Sequence, residues 1–276
     1  MPVALLLVEG QVEVAVLSAL CSPPLAIETA GGKSSLKPKT RERRREKKIT
    51  ACYLRDRDFD FDPPADRSQP QVDSQDTPEG SVSSVLGYRW CRHEIENYLL
   101  EPRLIEQALG WRQTDYIPVL LSVARQLCFY TAARWALGIV RRNLPRLWAL
   151  PTRPGELTNE IQLPADCSQQ ACFRWAHERV DEFKQMLEPI LTLSSIGDSL
   201  QERAARLAGL TTADDVLAWH AGKDLLAALQ ASLPGPYKGH PKVFLRDSQR
   251  WVCEQPKAAL AIHPEWQALR QALLAG

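Results

Sequence analysis

No apolar run in the sequence is long enough to span a bilayer. The most hydrophobic later stretch, 116–140, is interrupted by Arg125 and Arg134, so no membrane span and no membrane partner are expected. The apolar start lacks a basic flank and runs straight into Glu9, unlike a secretory signal, and a cytoplasmic location is expected. Net charge is scarce, at +1, which excludes coating nucleic acid by bulk charge; such binding has to use a local patch. No phosphate-binding P-loop is present. Lys33 and Ser34 follow Gly32, but the first glycine of that motif would fall at Ile27, and a kinase motif set is missing too, so a nucleotide-binding phosphotransferase is a poor reading. The seven cysteines form an odd, scattered set that suits a reducing compartment. Cys167 and Cys172 are the closest pair, and no second pair or nearby histidine completes a zinc site.

What is there is an ordinary soluble composition, 45% hydrophobic and 24% charged over 276 residues, enough for one large or two modest domains. The run Val3 to Val8 is uninterruptedly apolar and stops at Glu9-Gly10; Val12, Val16 and Leu20 follow at helical spacing, with Pro23 and Pro24 as the stop. Strand, turn, helix is the reading. A strand buried on both faces and followed by a crossover helix predicts a parallel neighbour, and 49–54 is the best candidate, ending in Asp56 and Asp58. Parallel strands share one carboxyl edge, where open α/β sheets bind ligands, so Glu9 and Asp56 are expected to meet there. Strand alternation predicts that Asp56 and Asp58 project together. Glu13 leans back toward the same edge, as helical side chains do. So many carboxylates in one crevice call for a counter-charge, and the expected one is Mg²⁺, with Mn²⁺ as its substitute.

These residues carry a resemblance. Glu9-Gly10 with Glu13, then Asp56-Arg57-Asp58 after an apolar strand, resembles the TOPRIM domain of topoisomerases, primases and OLD-type nucleases. The OLD-like branch writes its first motif ExxxD, and Glu9 to Glu13 matches it with Glu in place of Asp. RWCRHEIENYLL is similar to a stretch of nucleases paired with ATPases, among them the AriB-like effectors of PARIS anti-phage systems. The resemblance covers about 3–100. It implies a TOPRIM-like (Rossmann-like) α/β domain over 1–110, a mostly parallel sheet flanked by helices, followed by a mainly helical C-terminal region over 111–276. It further implies metal ligands Glu9, Glu13, Asp56, Asp58 and Glu96, with Glu94 a rival for the last role, and a catalytic set of Glu9, Asp56, Asp58 and Lys223. The last, in HAGKDLL, matches a lysine that such nucleases bring into the metal site. The implied function is metal-dependent cleavage of DNA or tRNA by a toxic defence effector held by a separate ATPase subunit. A non-catalytic interaction subunit is the alternative, and the oligomeric state, a homodimer included, stays open. The separate tyrosine domain of topoisomerases and the zinc module of primases have no counterpart, and Tyr53, Tyr88 and Tyr98 suit packing.

Residues 37–48 hold eight basic and two acidic residues, with Pro38 suited to the first turn of a helix. The plain reading is a solvated helix. The functional one is a phosphate-tracking helix using Arg41, Arg43, Arg44, Arg45, Lys47 and Lys48. The polar stretch 59–81 reads as a loop that takes in Asp60 and Asp62, Leu25 to Thr29 and Val82 to Tyr88 as strands, and His93 to Leu100 as a helix. Later helices are expected at 115–143, 168–188, 199–209, 213–220, 222–233 and 264–274, with Thr212 as an N-cap and Lys242 to Leu245 as an edge strand. His93 reads as structural, and the eight tryptophans as core.

Overall fold

A computed structural model describes residues 2–21, 25–76, 84–144 and 168–274. Pro23, Pro24, Val82, Cys167 and the end of the 59–81 stretch lie outside the described residues. The chain opens with β1 (Leu5–Val8), α1 (Gln11–Cys21), β2 (Ala26–Thr29), α2 (Lys33–Lys47) and β3 (Ala51–Arg55). β4 (Gln71–Asp76) and β5 (Ser84–Arg89) complete a five-stranded sheet of order β2-β1-β3-β5-β4. β1 lies parallel to β2 and β3, and β3 parallel to β5; β4 alone is antiparallel. The expected pairing of β1 with 49–54 is found, with Leu5 opposite Ala51 and Leu7 opposite Tyr53.

The apolar run is buried at every position of β1, as a strand covered on both faces requires. Leu5 and Leu7 join Ala51, Tyr53, Leu86 and Leu36 of α2 in one cluster, and alternation turns Leu6 and Val8 to the other face. The chain passes from β1 to β2 on one side and from β2 to β3 on the other. Strand order therefore reverses at β1, and open α/β sheets place their ligand crevice at such a point, here outside the carboxyl ends of β1 and β3.

Eleven described α-helices follow the sheet: α3 (Ile95–Leu99), α4 (Pro102–Leu109), α5 (Gln113–Gln126), α6 (Cys128–Asn143), α7 (Gln169–Leu187), α8 (Leu193–Ala208), α9 (Ala213–Trp219), α10 (Gly222–Leu229), α11 (Pro241–Glu254), α12 (Pro256–Ile262) and α13 (Pro264–Leu274). Thr212 caps α9 as expected, its Oγ1 accepting the Asp215 N–H at 3.1 Å. Four expectations are corrected. The span 115–143 is two helices divided at Leu127. Lys242 to Leu245 belongs to α11, opened by Pro241 at its first turn. The supposed loop 59–81 contains β4, a polar edge strand with register shifts near Ser74. Pro38 sits inside α2, which already begins at Lys33.

The chain forms two compact units. Residues 207–276 join 1–131 in the unit that holds the sheet, and 132–206 form the other. In the first, α1 packs on α11, α12 and α13, and the Val3 N–H donates to the Leu273 carbonyl at 2.8 Å. In the second, Trp135 is buried, with Arg142 and Arg203 each 5.5 Å from its ring. No described helix is long and apolar enough to cross a membrane.

Candidate functional site

Three chain segments meet at the carboxyl edge of the sheet. Glu9 follows β1, and its Oε1 accepts the N–H of Asp56, which follows β3, at 3.0 Å. Glu13 folds back over the turn: its Oε2 lies 3.0 Å from where a Cβ on Gly10 would stand. Behind β5, Glu94 and Glu96 are buried at the start of α3. Glu94 is the N-cap, in a reciprocal capping box with Asn97, which is why the helix begins at Ile95 rather than His93. Lys223 reaches this group from α10. Its Nζ lies 2.6 Å from Glu94 and 3.3 Å from Glu96, while its backbone N–H donates to Glu94 at 2.7 Å. Gly222 permits the approach, since a Cβ there would stand 2.6 Å from the Asn97 nitrogen.

The electrostatics follow from burial and like charge. Desolvation, then the charges of Glu13, Glu9 and Glu94, hold the Asp56 carboxyl well above the usual range. Glu13 is raised by burial and then by Glu96 and Glu9. Burial also raises Glu9, against the Asp56 hydrogen bond and Lys33. Glu94 is raised by burial and Glu96, against Lys223. For Lys223, burial works against the charge, but Glu94, Glu96 and Asp56 outweigh it and raise its pKa. The Asp56 Oδ1 is buried and accepts no hydrogen bond. Lys223 supplies positive charge here, but the carboxylates outnumber it.

The donor chemistry, hard carboxylate oxygens with an unsatisfied one among them, fits a divalent cation such as Mg²⁺. The spacing is looser than that chemistry needs: among the described residues, no three Asp, Glu, His or Cys side chains are placed to hold a metal ion. The lysine stands among the carboxylates instead.

Strand alternation does not place Asp58, although its charge raises the carboxyls of both Glu9 and Asp56. The strand ends at Arg55, so alternation no longer applies, and Asp58 takes a left-handed backbone with φ of 49°. Its carboxylate pairs with Lys33 at 2.6 Å. Lys33 also pairs with Asp60, which Arg55 holds at 2.5 Å. Asp60 is thereby part of an ion-pair network rather than a free loop residue. The lysine dismissed with the P-loop is thus a partner of the acidic loop, and its position just past the end of a parallel strand was the available signal. Arg57, between the two aspartates, is wholly buried and donates to the carbonyls of Cys91 at 2.9 Å, Ala218 at 2.5 Å and Phe61. His93 is structural, as expected: its carbonyl accepts the N–H groups of Arg57 and Asp58, and its ring lies 4.5 Å from Phe59.

The basic segment divides. Arg44 turns inward, donating to the carbonyls of Ala51 at 2.7 Å and Val85 at 2.6 Å. Arg43 lies 3.7 Å from Glu28, Arg41 3.4 Å from Asp76, and Arg45 3.4 Å from Glu46. Lys47 ends α2 and Lys48 caps it in a left-handed conformation; both are exposed. No protein-family model matches the chain, and no curated protein matches it.

Proposed function

We propose that the chain is a metal-dependent nuclease of the TOPRIM, OLD-like kind, acting on DNA or RNA phosphodiesters as a toxic anti-phage effector under the control of a separate ATPase. The observation that carries the reading is the set of carboxylates, half-buried Glu9 with buried Glu13, Asp56, Glu94 and Glu96, gathered with Lys223 outside the strand ends where the sheet order reverses. Glu9, Glu13, Asp56 and Glu96 would hold the cation once their side chains turn closer together than the described arrangement places them. Glu94 is the weaker candidate, since both its oxygens already serve Lys223. When bound, a divalent cation supplies water activation and stabilisation of the leaving oxygen. The carboxylates hold and orient the reacting groups by charge. Lys223, exposed over much of its side chain, can swing to a phosphate and offset the charge that builds on it. Asp58 acts at one remove, by fixing Lys33 beside the crevice.

The test is cleavage of plasmid, single-stranded DNA and tRNA by the purified protein in Mg²⁺, Mn²⁺ or EDTA, beside Asp56→Asn. Cleavage that needs the cation and falls by orders of magnitude in a folded Asp56→Asn protein is expected. Cleavage that persists in EDTA, or no cleavage of any substrate with either ion, would overturn the reading and favour an interaction subunit.

A further inference from the structure

The basic residues of α2 are sorted by a spacing of four. Lys33, Lys37, Arg41 and Arg45 succeed one another along one side of the helix, each step about 6 Å along the axis and the whole about 18 Å. The first stands at the crevice, paired with Asp58 and Asp60. The other three are exposed and line, with Ser34, one groove on the protein surface. Arg44 and Lys39 do not belong to it, because backbone carbonyls of Ala51, Val85 and Ala30 hold them. Glu42 and Asp76 flank the row. A basic line one residue wide with acids beside it matches a linear polyanion and repels a flat anionic surface.

We propose that Lys37, Arg41 and Arg45, with Ser34, form a track for the phosphate backbone of a single nucleic-acid strand, leading it along α2 to the acidic crevice at Lys33. The proposal rests on the nucleic-acid reading of that crevice and names how its substrate is held. Arg43, Arg44, Lys47 and Lys48 are outside the track, and Asp76 competes with the phosphates for Arg41.

The experiment measures binding of a fluorescein-labelled 20-nucleotide single-stranded DNA in EDTA across a salt series, with melting temperatures for every variant. Lys37→Glu, Arg41→Glu and Arg45→Glu together are compared with the same charge change at exposed positions elsewhere, Lys238→Glu, Lys242→Glu and Lys257→Glu. For three phosphate contacts the slope of log affinity against log salt should flatten by about 2 in the first triple and hold in the second. Asp76→Asn should tighten binding about two- to fivefold, the worth of an exposed ion pair. Equal effects of the two triples, or none from either, overturn the track. So does an α2 triple that loses only adhesion to phosphatidylserine vesicles, which would make the row a membrane contact. Because binding is read without metal, the two readings fail separately. Track-dependent binding without cleavage in Mg²⁺ or Mn²⁺ sinks the nuclease alone, and cleavage by an α2 triple that still binds like the wild type sinks the track alone.

Discussion

Asp56 carries the heaviest electrostatic load of any carboxylate in the crevice, with burial and three glutamates all opposing its charge. Its folded pKa is raised, so its contribution to stability is fully present at pH below the ordinary carboxylate value and is lost as pH rises through the folded one. Asp56→Asn keeps the shape and removes the charge. The metal-free variant should therefore be more stable than the wild type at pH 8. That margin should shrink toward pH 4, as urea melts at the two pH values would show; a margin independent of pH would mean that the Asp56 carboxyl titrates alike in the folded and the unfolded protein. Lys223→Met has the opposite sign, because Glu94 and Glu96 lose their cation. The lysine side chain is 63% exposed, which cuts the cost of a broken buried pair to about 1–2 kcal/mol. Added Mn²⁺ should then recover more melting temperature in the variant than in the wild type; equal recovery would mean that lysine and cation do not share the site. Glu9, Asp56 and Glu13 were legible from topology alone. Asp58 was not, since two-residue alternation holds only while the chain remains a strand, and Arg57 takes the backbone out of the sheet immediately after Asp56 by hydrogen-bonding to three carbonyls.

The contact of α10 with α3 sets where Lys223 can stand. A methyl group at 222 would meet the Asn97 nitrogen at 2.6 Å and the Glu96 carbonyl carbon at 2.9 Å, and backbone atoms cannot yield as a side-chain tip can. Gly222→Ala should push α10 outward, lower stability by roughly 1–3 kcal/mol as overpacking does, and weaken the hold on Glu94 through both Asn97 and Lys223. Thermal melts and the exchange rate of the Lys223 amide would show it; an unchanged amide would mean that α10 is seated by its apolar residues alone. Which elements could be read in advance follows from how each is stabilised. β1 and β3 declare themselves because strands covered on both faces must be apolar throughout. β4, Gln-Val-Asp-Ser-Gln-Asp, does not, because an antiparallel edge strand is held by its ladder to β5 rather than by buried side chains. α11 was misread from Lys-Val-Phe-Leu, a run too short to tell strand from helix. Pro241, Pro256 and Pro264, each opening a helix, were the stronger signal.

At the scale of the molecule, residues far apart in sequence are buried against one another. Glu265 at the start of α13 accepts the Cys91 N–H at 2.8 Å and the Tyr98 hydroxyl, wholly buried. Burial, working against those two hydrogen bonds, raises its pKa from 4.5 to about 7. Its stabilising contribution is present below the ordinary value and is lost as pH climbs through about 7. Glu265→Gln mimics the protonated form, so the variant should gain on the wild type between about pH 4.5 and 7, approaching roughly 3 kcal/mol above that window. Equilibrium denaturation of both proteins across that range decides it, and a difference that stays flat would place the titration elsewhere. The domain expectation was legible only in part. The helical character of the later chain shows in its periodicity, but nothing local announces that 207–276 return to the sheet, because such contacts pair residues more than a hundred positions apart.

The Arg57 side chain ties the acidic loop to the carbonyl of Ala218, and Val3 beside β1 is tied to Leu273. On the ribosome the chain grows at roughly 5–20 residues per second, so the acidic loop emerges many seconds before either tie can form. During that interval the aspartates and glutamates are exposed to water without Lys223 and without the bond that holds Arg57 in place. The crevice therefore matures late, when the segment after residue 206 has emerged and docked, and a nascent chain cut short before it would carry all the early acidic residues yet lack their assembled arrangement.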